Sequence, residues 1–234
     1  MNIAALTHTD GYIFAESRES HTPWHIYSAQ SAGFVTISRQ SGSGGTRFAR
    51  MLARHLNSEA TAGKLWTVLE GDLVARLLAE CAMPAYLSRF LPEDKIPEPH
   101  AFIGEMIGLH PNIWGLVEKT NHAMREIARR GNVIMVGRGA NFATADIPGG
   151  VHVRLVAPPE NRARYYAEFY GVPEEKAKEI NTKRDAASRR YVSTTFNANA
   201  EDPRSYNLVF NTAQVHLTEA VSLVSALLQK RKTT

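Results

Sequence analysis

A glycine- and serine-rich segment, residues 38–46, carries the residue types best suited to binding an anion. It reads Ser-Arg-Gln-Ser-Gly-Ser-Gly-Gly-Thr, follows the apolar run 34–37 and precedes an amphipathic helical stripe over 48–56. A loop between a buried strand and a helix directs backbone N–H groups and the positive end of the helix dipole at one point. The sequence therefore predicts a phosphate site formed by Gly42, Ser43, Gly44, Gly45 and Thr46.

This loop departs from the phosphate-loop template GxxxxGK[ST] at two positions. Gly44 and Thr46 match the second glycine and the final hydroxyl, but Arg39 replaces the first glycine and Gly45 replaces the lysine. The lysine normally places a positive charge on the transferring phosphates of ATP. Arg39 and Arg47 are two nearby cations that could substitute, and spacing does not choose between them. Thr46 has the position of a hydroxyl that coordinates Mg²⁺.

A second candidate site is the tripeptide Gly137-Arg138-Gly139, directly after the apolar run 133–136. Ligands of open parallel sheets bind beyond the carboxyl ends of the strands, so Arg138 is expected in the same crevice as the glycine loop. A guanidinium there can hold a phosphate through two hydrogen bonds. The alternative is a turn arginine paired with a neighbouring carboxylate.

The third candidate is the charged helical segment 183–191, with Arg162 on the helix before it. Phosphoryl transfer depends on positioning and charge stabilisation, so a mobile helix carrying Arg184 and Arg190 could deliver charge to the phosphates and exclude water. Asp185 lies within the same segment. The alternative is an ordinary solvated helix.

The elements that must position these residues alternate along the chain. Short apolar runs predict five strands, at 34–37, 65–69, 133–136, 151–156 and 207–210. Helical patterns fall at 48–56, 73–81, 113–130, 161–170, 173–191 and 213–229. This alternation predicts an α/β fold with a mainly parallel five-stranded sheet flanked by helices. Residues 1–32 have no sustained period and read as an irregular N-terminal extension, and the prolines in 83–111 indicate an insertion of short helices.

Composition restricts the function further. The chain has 234 residues, a formal net charge of +4 and a single cysteine, which excludes an intrachain disulfide or a cysteine zinc site. No uncharged run is long enough to span a membrane, so a cytoplasmic protein without a membrane partner is expected. The nine histidines are dispersed, which argues against a metal enzyme. The small positive charge makes nucleic acid the least favoured partner, and a homo-oligomer is compatible with the sequence.

Together, several ordered motifs resemble the cytidylate kinase-like family of P-loop nucleotide kinases. They are ISRQSGSGGTRFARMLARHL at 37–56, VIMVGRGANF at 133–142, VHVRLVAPPENR at 151–162, the segment 183–191 and YNLVFNT at 206–212. The resemblance covers about residues 33–230. It implies a kinase domain over 33–234, with a helical monophosphate-binding insertion at about 83–111 and a lid at about 172–196.

The resemblance also implies roles for individual residues. Residues 42–46 would hold ATP with Mg²⁺ on Thr46, and Asn211 and Thr212 would lie near the base of ATP. The acceptor monophosphate would be bound by Gly137, Arg138, Arg162 and Asp185. The catalytic cations would be Arg39, Arg138, Arg184 and Arg190. The implied reaction converts ATP and CMP or dCMP to ADP and CDP or dCDP.

Three positions depart from the pattern of the cytidylate kinases. Gly45 stands where they carry the loop lysine, Gly139 where they carry an aspartate, and Ser188 where relatives often carry another lid arginine. The missing lysine leaves open a second reading, a catalytically weak or inactive nucleotide-binding sensor or interaction module. A third reading, nucleic-acid binding through the arginine clusters, predicts binding that weakens steeply with salt.

Overall fold

The computed structural model describes residues 33–59, 65–70 and 113–232, all within the unit Ala32–Thr234. The strands of this part are β1 (Phe34–Arg39), β2 (Thr67–Leu69), β3 (Val133–Val136), β4 (Gly150–Val156) and β5 (Leu208–Asn211). Its α-helices are α1 (Gly45–Glu59), α2 (Ile113–Arg130), α3 (Ala140–Ala143), α4 (Pro159–Tyr170), α5 (Glu174–Phe196) and α6 (Leu217–Lys232). The extension predicted over 1–32, the helix predicted over 73–81 and the insertion predicted over 83–111 lie outside the described residues.

The five strands form one sheet in the order β2-β3-β1-β4-β5, and every neighbouring pair is parallel. The predicted parallel five-stranded sheet is therefore confirmed. Strand β1 lies between β3 and β4, so the chain leaves β1 toward one side of the sheet and later returns to its other side. A crevice opens beyond the carboxyl ends of the strands at such a switch point, and this places the glycine loop there.

Alternation along β1 gives its two faces different neighbours. Val35 and Ile37 are almost fully buried and belong to a core with residues of α1 and α6. Thr36 and Ser38 point to the opposite face, where they lie beside His152 and Arg154 of β4. The end of β1 therefore directs Ser38 and Arg39 to opposite faces of the sheet.

Element boundaries differ from the sequence prediction mainly at turns. Helix α6 begins at Leu217 rather than at 213, because the Asn211 carbonyl accepts hydrogen bonds from the amides of Gln214 and Val215 in an intervening turn. Helix α5 continues past 191 to Phe196 and ends at Asn197, which has a φ of 49°. Strand β2 starts at Thr67 rather than at 65.

Among the described residues no helix has the length and apolar character needed to cross a bilayer.

Candidate active site

The glycine loop between β1 and α1 is shaped by two left-handed glycines, Gly42 at φ 80° and Gly44 at φ 84°. A Cβ atom at Gly42 would lie 2.4 Å from the carbonyl oxygen of Arg162, so no larger residue fits without movement of the backbone. The Ser43 hydroxyl is buried and donates a hydrogen bond of 2.7 Å to the Gln40 carbonyl. The loop is thus a fixed backbone turn at the amino end of α1, the arrangement that suits an anion.

The side chain of Arg39 lies over Gly45, the position at which the template carries lysine. A Cβ atom at Gly45 would be 2.9 Å from Cγ, 3.2 Å from Cβ and 3.3 Å from Cδ of Arg39. Arg47 lies near Tyr165: partial burial raises the pKa of the Tyr165 hydroxyl above its ordinary value, and the positive charge of Arg47 opposes this rise. Of the two cations that the sequence left open, Arg39 occupies the space beside Gly45.

A pair of oxygen-bearing side chains lies next to the loop. Thr46 Oγ1, in the first turn of α1, is 3.5 Å from Oε2 of Glu70, the residue directly after β2. The other carboxylate oxygen of Glu70 is buried without a hydrogen bond and lies 3.5 Å from Arg50 Nε. A hydroxyl beside a carboxylate is a pair of ligands that suits Mg²⁺, which binds one or two carboxylates together with substrate phosphates. Sequence reasoning missed Glu70, although an acid immediately after a strand was the available signal.

Arg162 and Asp185 lie beside the glycine loop and hold it to α5. Asp185 Oδ1 accepts a 2.6 Å hydrogen bond from the Ser41 amide, and Oδ2 accepts one of 2.5 Å from Arg162 Nη1. Arg162 also donates to the carbonyls of Ser41 and Ala157, each at 3.0 Å. Each side chain of this pair is only 11% exposed. The two residues therefore form a nearly buried ion pair at the loop.

A narrow cavity lies where β1 and β3 end, and its walls include Ser38, Arg39, Gly137 and Arg138. Arg138 itself has a φ of 54°. Ser188 and Val192 of α5 form part of the wall, so the predicted lid helix lies beside the cavity. Arg39 and Arg138 therefore line the same cavity.

The glycine at 139 is matched by an aromatic ring. A Cβ atom there would lie 2.3 Å from Cε2 of Phe196, at the end of α5, and the φ of Gly139 is 62°. The Phe196 ring stacks on Phe142 of α3 at a centroid distance of 5.7 Å. An aspartate at 139 would require this ring to move. The glycine that replaces the family's aspartate therefore makes room for the end of α5 to pack here.

The other predicted site residues lie away from the cavity wall. Arg184 is exposed and lies 5.5 Å from the ring centroid of Tyr166, and Arg190 is exposed on α5. Asn211 ends β5, and the amide of Thr212 donates to the Val156 carbonyl at 2.9 Å. The chain then continues to Leu217, whose Cδ1 lies 3.5 Å from the position of a Cβ on Gly44. The segment after β5 thus approaches the glycine loop.

Comparisons with known proteins agree with this architecture. The sequence model of the Cytidylate kinase-like family matches residues 110–214, which contain Arg138, α5 and β5 but not the glycine loop. The resemblance stated from the motifs is therefore confirmed over that segment. No curated protein matches the chain with significant similarity.

Solved structures resemble the chain at low sequence identity. A crystal structure of an uncharacterized protein from Eubacterium ventriosum is 19% identical, with 84% of this chain and 98% of that chain covered and a TM-score of 0.60. Shikimate kinase from Bacteroides thetaiotaomicron is 15% identical, with 84% and 98% covered and a TM-score of 0.44. A gluconokinase from Sinorhizobium meliloti is 15% identical, with 86% and 96% covered and a TM-score of 0.46. The TM-score of 0.60 shows that the chain shares its α/β fold with the Eubacterium ventriosum protein.

Proposed function

We propose that this chain, related over residues 110–214 to the cytidylate kinase-like family, transfers the γ-phosphoryl group of ATP to a nucleoside monophosphate. CMP or dCMP is the first acceptor to test. The observation that carries the proposal is the contact between Arg39 and Gly45, because it accounts for the missing lysine.

The two departures of the loop from its template are reciprocal. The template has glycine at the position of Arg39 and a cation at the position of Gly45. Atoms Cβ, Cγ and Cδ of Arg39 lie in the volume that a side chain at 45 would need, which supports delivery of the positive charge from position 39. Arginine is permanently charged and offers a planar set of donors to phosphate oxygens. We infer that Arg39 replaces the lysine.

In the proposed reaction an oxygen of the acceptor phosphate, held by Arg138 beside Gly137, attacks the γ-phosphorus of ATP. A bond forms between that oxygen and phosphorus while the bond from phosphorus to the bridging oxygen breaks, and ADP leaves with that oxygen. Arg39 adjoins both the loop and the cavity and would neutralise charge during transfer. No general base is required, because the attacking phosphate oxygen is already nucleophilic.

The donor would be bound by the backbone amides of residues 42–46. Thr46 and Glu70 would hold Mg²⁺, which neutralises the β- and γ-phosphate oxygens of ATP when bound. Asn211 and Thr212 would lie beside the base of ATP, and the approach of Leu217 to Gly44 supports this.

The lid completes the proposal. The domain would span 33–234, with residues 172–196 acting as the lid. Arg162 and Asp185 would join the lid to the donor loop. Arg184 and Arg190 stay predictions: both are exposed on α5, and delivering either to the phosphates requires that helix to move.

A coupled assay of ADP release with each nucleoside monophosphate in turn tests this function. The loop variants are Arg39→Ala, Gly45→Lys and the double variant Arg39→Gly/Gly45→Lys, which restores the full template. We expect turnover with one acceptor and a kcat lower by about 10²–10³-fold in Arg39→Ala. Gly45→Lys alone should also lose activity because it collides with Arg39, and the double variant should recover activity to within about tenfold of the wild type.

Arg204→Ala is the matched control, since Arg204 is 89% exposed and paired with Asp202 away from the loop. Arg138→Ala should impair use of the acceptor far more than binding of ATP. Full activity in Arg39→Ala would refute the reciprocal exchange. Absence of turnover with every acceptor would refute the kinase.

A second function is favoured by the hydrogen bond from the Ser41 amide to Asp185, which occupies one donor of the loop with the chain's own carboxylate. A nucleotide sensor would exchange that contact for a phosphate when ATP binds, without transfer. Calorimetric binding of ATP in the absence of turnover would support the sensor over the kinase.

A further inference from the structure

A second guanidinium, that of Arg154, is buried on the opposite face of the sheet from Arg39. It is 7% exposed and lies on β4 directly across from Ser38. Its Nη1 donates a 2.9 Å hydrogen bond to Ser38 Oγ and lies 3.5 Å from the Tyr206 hydroxyl. Its Cζ is 5.6 Å from the centroid of the Tyr206 ring. Within residues 33–59, 65–70 and 113–232, Arg154 has no carboxylate partner.

This environment is costly for a cation. Removing a guanidinium from water is unfavourable unless an opposite charge or several hydrogen bonds replace the water. Arg162, which is similarly inaccessible, has Asp185. Two hydroxyls and a ring face offset less of the cost for Arg154 than a carboxylate would. A bound anion near Arg154 would offset the remainder.

Of the two hydroxyl groups beside Arg154, those of Ser38 and Tyr206, only one has a proton available for a ligand. Tyr206 has a single hydroxyl proton, and its oxygen lies 2.6 Å from the Ala200 carbonyl but 3.2 Å from Ser38 Oγ. Tyr206 therefore donates to Ala200. Ser38 Oγ accepts the N–H of Arg154, so its own proton is left for the weak Tyr206 contact or for a stronger acceptor.

Ser38 faces the cavity that Arg138 also lines. The described residues of this wall include Arg39 and Arg138 but no Asp or Glu. An anionic oxygen in the cavity is a better acceptor for the Ser38 proton than a tyrosine oxygen, and the charge of Arg154 strengthens that hydrogen bond.

We propose that Ser38 is a second anion-binding donor of this cavity, opposite Arg138, and that Arg154 is the positioning residue that holds and polarises it. The ligand is a phosphate oxygen. The proposal rests on the proposed function only in assigning this oxygen to the acceptor nucleotide. Arg154 does not touch the anion; it acts by orienting Ser38, which donates the hydrogen bond to the anion.

Binding of inorganic phosphate, followed by ¹⁵N NMR of protein labelled in arginine, tests the site without ATP. The Nε–H resonance of Arg154 is identified by its absence from Arg154→Met. Titration at constant ionic strength, with chloride as the comparison anion, should move this resonance to saturation with phosphate and not with chloride. Ser38→Ala should raise the Kd about tenfold, and Arg204→Met, which removes an exposed arginine, should leave it unchanged.

A double-mutant cycle separates this role from a structural one. If Arg154 acts through Ser38, Arg154→Met and Ser38→Ala together weaken phosphate binding, read at the Arg138 resonance, no more than either does alone. Additive effects would overturn the proposal, as would an Arg154 resonance that phosphate leaves unmoved or an unchanged Kd in Ser38→Ala. If Arg154→Met does not fold, Ser38→Ala, which retains the arginine, decides the question.

The outcome is also separable from that of the kinase proposal. Phosphate binding that depends on Ser38, in a chain without turnover, would overturn the kinase and leave the anion site standing. Turnover with an acceptor KM that Ser38→Ala leaves unchanged would support the kinase and overturn the assignment of Ser38 to the anion site.

Discussion

The donor side of the crevice is the side at the glycine loop where we propose that ATP binds, and there Arg162 is paired with Asp185. The acceptor side is the side at Ser38 and Arg138 where we propose that the monophosphate binds, and there Arg154 has only hydroxyl and aromatic partners among the described residues. Both guanidinium groups are nearly buried, and Arg162 also donates to the carbonyls of Ser41 and Ala157. Within the part of the chain that the structure describes, a carboxylate therefore neutralises Arg162 but not Arg154.

This difference indicates on which side of the crevice a bound anion would stabilise the protein more. Asp185 accepts a hydrogen bond from the Ser41 amide of the glycine loop, so a phosphate bound there would have to compete with this carboxylate for the amide. The described wall of the cavity beside Arg138 contains no Asp or Glu. A phosphate in that cavity would not displace an acid of this wall.

The largest expected effect on the free energy of unfolding comes from adding a side chain at Gly42 in the glycine loop. Gly42→Ala places a Cβ 2.4 Å from the Arg162 carbonyl at a φ of +80°, so clash and backbone strain combine to about 4 kcal/mol of lost stability. Gly171→Ala is the control, because Gly171 has a φ of +66° with nothing within 4 Å of its Cβ position, and it should lose about 1 kcal/mol. Equal urea midpoints for the two variants would show that the loop has room at Gly42.

A smaller effect follows from making the donor side resemble the acceptor side. Asp185→Asn leaves Arg162 without its carboxylate, and we expect a loss of roughly 2–3 kcal/mol in urea unfolding, near the lower end for breaking a buried pair. Added phosphate should restore more stability to this variant than to the wild type, because it supplies the missing anion.

The control for that change is an exposed pair of the same chemistry. Asp146→Asn breaks the bond of Asp146 to Arg125, whose hydrogen bond lowers the pKa of the Asp146 carboxyl to about 2. Since the Asp146 side chain is 68% exposed and solvent screens its charge, a much smaller loss than for Asp185→Asn is expected. If Asp146→Asn cost as much as Asp185→Asn, burial would not distinguish the two arginines.

The sequence predicted the positions of the strands along the chain, because the signals for a strand are local. The apolar run 133–136 became β3 with unchanged bounds, and the glycine loop lies between β1 and α1 as expected. The contact of Arg39 with Gly45 could not be predicted, since it depends on which face the last residue of β1 occupies. Arg154 looked like part of an apolar strand, and only the parallel register with Ser38 reveals its place.

Asp185 shows a related limit. The resemblance implies that Asp185 binds the acceptor, and this stays a prediction, because helix periodicity does not specify the rotation of α5 about its axis. The structure turns Asp185 to the glycine loop and Ser188 to the cavity. Packing of Phe196 on Phe142 fixes the far end of α5, and that packing depends on a glycine distant in sequence, at 139.

The smallest expected effect comes from protonating His152 at low pH, which adds a second positive charge to the face of the sheet that carries Arg154. His152 lies two residues before Arg154 on the same face of β4, 2.8 Å from Thr36 Oγ1, and burial, with a smaller contribution from Arg231, lowers its pKa to about 4 from 6.5. Because the folded state binds the proton less readily than the unfolded chain, stability is retained above pH 6.5 and lost as pH falls toward 4. We expect a loss of about 1–2 kcal/mol between pH 7 and pH 5 in urea unfolding.

His152→Gln tests the assignment by removing the imidazole while keeping a polar side chain opposite Thr36. Most of the pH dependence between 5 and 7 should disappear in this variant, and the matched change His216→Gln, at an exposed histidine, should leave it in place. A pH dependence that survives in His152→Gln would mean that a group other than His152 carries it, and that protonation of His152 beside Arg154 costs the folded state little.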